Sequence, residues 1–544
     1  MKKRTTSDSI TILDWMKSKP YKISKDTYDL PYLKLCKGVF GILNTQKSWF
    51  DNAEVDRELR KELACMLVSY FEDFICEIGI WSAFIERNNE LHGYYLPFYE
   101  LTDYDPDHLN VEDIAYIIWH FMTKCLDTRI HAPDSNTLWN LAIDVYDLLE
   151  PAIEDISATD VYDEIFAVAD GSDFFDLKTK LDWFSTKSYL MGWELGAQLE
   201  YEIADLLDEK GLRNNPAMME PMIYTLQEDY KLSKRCSFAA MNAPEWFARV
   251  ARCSEVKKQE IINLQFRHQG QYLYLKEEEN HYLFRHLTTD REYKVRKDSV
   301  KKNGKMGKEG KTVFLMTLIQ WEGEWMLTGM MTGWDLTPKD VENAKNKQVS
   351  TPWIFTDERL QNMRETTDLM YKSFVEFFGS PLALFGSKKE LEQGSADFFS
   401  FYNKKLGSTD AELERRQKVY QERFATAKSM DFSDLPKGDG YGMLFVEGIG
   451  ITMLTDLQDT IISLKKPSLT KEEQVDLFYD LLVNYEPAVA GFLLQTFGHQ
   501  NFRHPSDSTI ANAWRERHFY WRFYNPQEFG AKYPMMTMVD TSGY

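Results

Sequence analysis

The sequence predicts a mainly α protein, α+β in class: a multi-helical array with an inserted small antiparallel β-barrel-like module and a short C-terminal β-hairpin. Three observations predict it. Apolar residues recur every three or four positions through long stretches of both halves, the period that gathers them on one helix face. Near residue 260 the period drops to two, with Tyr272, Tyr274, Tyr282 and Phe284 alternating with polar residues, as in half-buried strands. Finally, MLFVE and GIGITML form two short runs that turn back at Glu447-Gly448.

Residues 1–50 are locally basic and end in the amphipathic stretch LPYLKLCKGVFGIL. From about Ala53 to His92 the spacing of Leu59, Leu63, Leu67, Phe71, Phe74, Ile78, Trp81 and Ile85 predicts one long helix, with Gly93 as its stop. The next helix opens at Asn110, where Asp113 can serve the first-turn amides, and continues through IAYIIWHFMTKC. Further helices are expected over about 136–150, 159–169, 190–210 (closed by Gly211) and 216–235. The alternating segment follows, with turns at Gly270, Glu279-Asn280 and Thr288–Asp290. A basic loop, KKNGKMGKEGK, leads to TVFLMTLIQW and EWMLTGMMTGW, joined across Glu322-Gly323. Five or so strands in about 75 residues suggest a small closed or half-closed barrel. Helix resumes at Thr337 and at Thr356, and Thr409 to Glu412 reads as a capping box opening a helix to about Lys428. DFSDLPKGDGYG, residues 431–442, is a turn-rich linker, and a second capping box spans Thr470 to Glu473. Four segments result: an acidic helical domain over 1–256, the β module with its basic loop over 257–336, a helical segment over 337–430, and a C-terminal helical segment with the hairpin over 431–544.

The chain has 544 residues and a net charge of −21. Residues 51–200 carry 32 acidic against 9 basic residues. Such a surface repels nucleic acid and anionic membrane, and suits solubility, basic partners or divalent cations. The 34 Phe, 29 Tyr and 14 Trp either fill thick inter-helix cores or line a stacking surface. Six cysteines, at 36, 65, 76, 125, 236 and 253, form no CxxC pair and match neither a zinc site nor a disulfide framework. No run approaches the roughly 18 apolar residues of a membrane span, and the N-terminus lacks the apolar core of a secretory signal. A cytoplasmic protein with free thiols, bound to no membrane, is the expectation.

No GxSxG, P-loop or GxGxxG pattern occurs, and KGDGYG reads as a turn. The strongest chemical candidate is YFEDFICEIGIWSAF, where Glu72, Asp73 and Glu77 sit in an apolar helix, the last two one turn apart. Carboxylates among aromatics acquire raised pKa values, as general acids need. With Asp113 and His120 they compose a candidate acid–base or metal cluster, although the Glu-x-x-His spacing of helical di-metal sites is missing there. Structural ion pairs, caps and a core histidine are the plainer reading, and neither a resident metal nor a cofactor is expected. The loop acids Asp103, Asp105 and Asp107 with His108 lack EF-hand spacing. The best binding candidate is the β module. Residues 291–311 hold nine Lys/Arg against three acids. Lys301, Lys302, Lys305 and Lys308 lie there, beside Trp321, Trp325 and Trp334 and the strand tyrosines Tyr272 and Tyr274. Small barrels bind peptides or single strands by laying aromatics under a ligand while loop cations hold its charge.

DWMKSKPY, YLKLC, YFEDFICEIGIWSAF, LPFY, IIWHF and the closing KYPMMTMV together resemble a bacterial family classed as a domain of unknown function, number 3843. The likeness covers mostly the first 125 residues, with an echo at GIGITM and the C-terminus. It implies a cytosolic bacterial protein with helices around a small β module, and carries no activity or functional residue. The leading expectation is a non-enzymatic interaction or scaffold protein that recognises another protein through the β module. The alternatives are a metal-assisted hydrolase at the acidic helical site and nucleic-acid binding through the Lys-rich loop.

Overall fold

A computed structural model describes residues 9–22, 28–125, 130–208, 216–287, 289–300, 306–337, 339, 357–407, 440–446, 450–455, 457–499, 505 and 507–529. The chain divides into two compact units, Met1–Gln265 with Asp507–Gly530, and Phe266–Ser506 with Ala531–Tyr544. Helices dominate the described residues, and none of those helices is long and apolar enough to cross a membrane.

The first unit opens with α1 (Ile12–Met16), α2 (Asp29–Thr45), α3 (Lys47–Asp51), α4 (Arg57–Ile75), α5 (Ile80–His92), α6 (Val111–Cys125) and α7 (Asn136–Leu149). There follow α8 (Asp163–Phe166), α9 (Phe174–Lys187), α10 (Met191–Asp208), α11 (Pro216–Leu232), α12 (Ala243–Val250) and α13 (Glu255–Asn263). Local chemistry sets several starts. Asp56 accepts from Leu59 N at 2.9 Å, Ser135 from Leu138 N at 3.4 Å, and Asn242 and Glu245 make a capping box.

The single helix expected over 53–92 is two. α4 stops at Ile75, Glu77 and Gly79 take φ of +47° and +91°, and α5 begins at Ile80. The apolar spacing runs through the break because Ile78 within the turn and Trp81 just after it are both buried, so periodicity cannot reveal the turn. Of the helix expected over 159–169 only α8 forms, since Ala167 turns extended and bridges Arg252. The stretch read as short and amphipathic is the 17-residue α2.

At the centre of this unit α6 is buried on every face, from Asp113 to Thr123, as a helix apolar all round must be. Its Trp119 packs on Phe98, Phe519 and Phe523 with ring centroids 4.8, 5.9 and 5.2 Å away. Much of the aromatic richness thus fills the core.

The second unit begins with β1 (His268–Glu277), β2 (His281–His286), β3 (Glu292–Arg296), β4 (Thr312–Trp321) and β5 (Glu324–Asp335). They form one mixed sheet of order β1-β2-β3-β5-β4, and β4 returns to pair with β1. The expectation of a wholly antiparallel module is corrected here, because β3 and β5 are parallel at Val295↔Trp325. An odd number of strands in a closed order cannot alternate direction throughout, so one pair must run parallel. Glu322-Gly323 makes the β4–β5 turn with both φ positive, +49° and +77°, the two-residue hairpin geometry. Tyr272, Tyr274, Phe284, Tyr293, Phe314, Met316 and Leu318 pack inside. Gly333 faces Phe314 across β4–β5, where a Cβ would run into the ring.

Next come α14 (Asp357–Phe378), β6 (Leu382–Phe385), α15 (Lys388–Lys405), β7 (Tyr441–Val446) and β8 (Gly450–Thr455). β7 and β8 are the expected hairpin, and the four-residue β6 adds a third antiparallel strand that the sequence did not announce. The turn at Glu447-Gly448 and the box at Thr409 to Glu412 lie outside the described residues, as does nearly all of the helix expected from Thr337. α16 (Leu457–Lys465), α17 (Lys471–Asn484) and α18 (Pro487–Phe497) follow, with the Thr470–Glu473 capping box formed. The chain then completes the first unit with α19 (Ser508–Arg515), α20 (Arg517–Tyr524) and α21 (Pro526–Phe529).

Candidate functional site

The last turn of α4 carries two buried carboxylates at a helix end that disfavours negative charge. Each must therefore find donors. Glu72 is ion-paired with Lys19, and accepts from Tyr28 Oη at 2.8 Å and Tyr162 Oη at 3.1 Å. Lys19 also reaches Ser69 Oγ at 3.1 Å and sits 3.4 Å from the Trp15 ring centroid. Trp15 Nε1 in turn donates to Asp29 Oδ1 at 2.8 Å. Tyr21 Oη stands 3.2 Å from Asp29 Oδ1 and 3.4 Å from Glu72 Oε1, so its one proton serves either. Cys76 Sγ lies 3.6 Å from Tyr28 Oη and 3.8 Å from Tyr32 Oη. Lys19, Asp29, Glu72 and Tyr162 are buried, while Tyr21 and Tyr28 are half-buried at the edge.

Asp73 points the other way. It accepts from the amides of Gly79, Ile80 and Trp81 at 2.7, 3.2 and 2.7 Å, and from Tyr189 Oη at 2.7 Å. It thereby caps α5 from the preceding helix. Burial pushes its pKa up to about 6, against the pull of these four donors. Glu77 is exposed and outside the helix, so the one-turn pairing of Asp73 with Glu77 does not exist. Asp113 accepts from Tyr70 Oη at 2.6 Å and Tyr104 Oη at 2.9 Å, and burial pushes it up to about 7.

His120 is fully buried and stacks on Phe238 with centroids 3.7 Å apart. Its Nε2 lies 2.8 Å from Ser237 Oγ, and that hydroxyl donates to Glu194 Oε2 at 2.6 Å. The serine proton is committed to Glu194, so His120 must donate through Nε2, which leaves Nδ1 an unpartnered acceptor. Burial, with Lys124 and Arg522 nearby, holds its pKa well below the usual histidine range. Glu194 also takes the Ser237 amide at 3.0 Å and lies 3.7 Å from Lys124 Nζ.

Among the described residues Glu72, Asp73, Asp113 and His120 are held by separate donor groups, and Glu77 stands apart from all four. Among the described residues no three His, Cys, Asp or Glu side chains are placed to hold a metal ion. The loop acids make a local turn, where Asp105 accepts from Asp107 N at 3.0 Å and meets His108 at 2.9 Å. Lys19, Tyr28, Tyr162, Ser237 and Glu194 escaped the sequence reading because nothing local ties them to their partners, up to 117 residues away.

On the β module, strand alternation turns Tyr272 and Tyr274 inward, 0% and 3% exposed, and Trp321 is buried at 2%. None of these three rings can underlie a ligand as expected. Trp325 is half-buried, with its centroid 4.7 Å from His268 and 4.9 Å from Tyr293. The exposed Arg291 covers Tyr293 at 5.4 Å and Trp325 at 6.0 Å. Trp334 is exposed. It pairs across from Val313, and so is a diagonal neighbour of Leu315, 41% exposed. Lys308 is exposed and meets Asp335 at 2.6 Å. Lys301, Lys302 and Lys305 lie outside the described residues. Arg291 beside Trp325 and Leu315 beside Trp334 were not singled out, since exposure and not local composition distinguishes them.

A family model described as "Protein of unknown function (DUF3843)" matches residues 10–292. No curated protein and no solved structure matches.

Proposed function

Since the chain belongs to the DUF3843 family of proteins of unknown function, we propose a role from the geometry alone: a non-enzymatic interaction protein. Its helical bulk acts as a scaffold for the five-stranded module, which we read as a small barrel that recognises another protein. One observation carries the reading. Trp334 and Leu315 are exposed side by side on the module, next to the Lys308 end of its basic loop, whereas Glu72, Asp73, Asp113 and His120 are spent on internal partners. An aromatic–aliphatic pair beside an exposed lysine suits a partner segment of apolar and acidic residues. Six free cysteines support action in a reducing compartment, the cytoplasm.

The test is affinity capture from a lysate of the source cells. It compares wild type with Trp334→Ala and with Lys301, Lys302, Lys305 and Lys308 all changed to Glu. Loss of the same protein partners from both variants is expected. Unchanged partner sets would sink the proposal, and nuclease-sensitive capture would replace the protein partner with nucleic acid.

A further inference from the structure

Arg522, on α20, is fully buried, yet no ion pair reaches it among the described residues. Among the described residues one of its nitrogens is hydrogen-bonded: Nη1 donates to Asn88 Oδ1 at 2.6 Å. Nε and Nη2 are buried without a hydrogen-bond partner there. An uncompensated guanidinium in a protein interior is costly, and native folds rarely keep one. Glu516, just before the same helix, does not fill the need, because it is held by Tyr94 Oη at 2.6 Å.

The free pair of donors is the informative part. Nε–H and Nη2–H form one edge of the guanidinium and point in parallel, the fork that takes two oxygens of a carboxylate or phosphate. The fork is also aimed. Asn88 Nδ2 donates to the carbonyls of Tyr94 and Tyr95 at 3.0 and 2.9 Å, which fixes its amide and presents Oδ1 to Nη1. Around the same spot other polar atoms are idle. Among the described residues Tyr116 Oη lies beside Arg522 but in hydrogen-bond geometry with nothing, and His92 Nε2 is likewise buried without a partner. Phe519 links the group: its ring centroid is 4.8 Å from the Arg522 guanidinium, 6.4 Å from Tyr116 and 6.3 Å from His92. His92 stacks on Tyr94 with centroids 5.6 Å apart, and both are half-buried, so they form the side nearest solvent.

We propose that Arg522, Tyr116 and His92 form a binding site in the helical unit for a small oxyanion, a carboxylate or phosphate group held by the free edge of Arg522. Tyr116 Oη adds a third donor, and His92 closes the outer side. Asn88 is a positioning residue that never touches the anion. The site is separate from the β module and stands whether or not that module binds a partner.

The experiment is thermal unfolding of the full chain in sodium phosphate and in sodium acetate, each against sodium chloride at equal ionic strength. A ligand of the native state raises Tm by mass action. At saturation the expected rise is at least about 3 °C in one of the two anions. Arg522→Met should abolish that rise, while its Tm in chloride equals or exceeds wild type because an unpaired buried charge is gone. Tyr116→Phe keeps the fold and its packing, and should need roughly ten times more anion for the same rise, as the loss of one hydrogen bond to a charged group implies. Equilibrium dialysis of wild type with radiolabelled phosphate and acetate reads binding directly. Equal Tm of wild type in all three salts with no retained label, or equal anion responses in wild type and both variants, would overturn the site.

Discussion

Each buried carboxylate of the first unit is defined by what donates to it. Glu72 has a cation, Asp73 has amides, and Asp113 has two phenols and the Asn110 side-chain amide. Removing the cation should be the most damaging change. Lys19→Met leaves Glu72 buried without its counter-charge, with an expected cost of about 3–5 kcal/mol in urea unfolding. Lys19→Met with Glu72→Gln should recover most of that loss. If both variants lose equally, Lys19 acts through packing on Trp15 and not through charge. Asp113 gives a pH prediction. Its folded pKa of about 7 lies above the ordinary 3.8, so the folded state holds the proton more tightly than the unfolded one. The stability it contributes is complete below the ordinary value and drains away as pH rises through about 7. Asp113→Asn cannot ionise, so its unfolding free energy should fall less than wild type between pH 4.5 and 7.5. The difference should be on the order of 3 kcal/mol. Matching pH slopes would show that the phenols of Tyr70 and Tyr104 already stabilise the anion fully.

At the scale of elements, one turn and one strand pair bear the most weight. The α4–α5 turn exists because the Asp73 carboxylate takes three successive amides at the start of α5, while Gly79 accepts the left-handed backbone at no steric cost. Asp73→Ala orphans those amides and Tyr189 Oη together, and should cost about 2–4 kcal/mol. Hydrogen exchange localised to residues 79–83 is the measurement, and unchanged protection there would refute the capping role. In the five-stranded sheet, Gly333 lies under the ring of Phe314. Gly333→Ala forces the ring aside and should destabilise the second unit by about 1–3 kcal/mol, with Phe314→Leu restoring part of it in the double variant. Additive losses in that pair would mean that the two residues are not in contact. Much at this scale was legible in sequence. Helix periodicity located α6, α7 and α10, the turn at Glu322-Gly323 was readable from its residues, and alternation marked β1 and β2. The α4–α5 break was not, because a capping carboxylate on the preceding helix and a phenol 116 residues away decide it while the apolar rhythm continues.

At the scale of the whole molecule, the first unit is discontinuous in sequence. Phe519, Tyr520 and Phe523 of α20 are buried there, and Arg522 ties to Asn88 across 434 positions. A chain ending at residue 506 should therefore expose Trp119 and Phe98 and lose cooperative unfolding of residues 1–265. Near-ultraviolet circular dichroism would report this as a loss of the aromatic signal. A truncated chain with the wild-type spectrum would show that α19–α21 are dispensable to that core.

By itself the sequence determined the class, the change from helix to strand near residue 260, the family and the free thiols. These are properties of local period, composition and motif, which survive without knowledge of distant neighbours. Tertiary structure alone decided which polar groups are spent. It closed the strand order with one parallel pair, turned Tyr272 and Tyr274 inward, gave His120 a serine, and left one edge of Arg522 without a hydrogen-bond partner among the described residues. Partnership in a folded interior is set by residues tens to hundreds of positions apart. No local pattern encodes it, because the cost of an unpaired buried group arises only when the chain has closed around it.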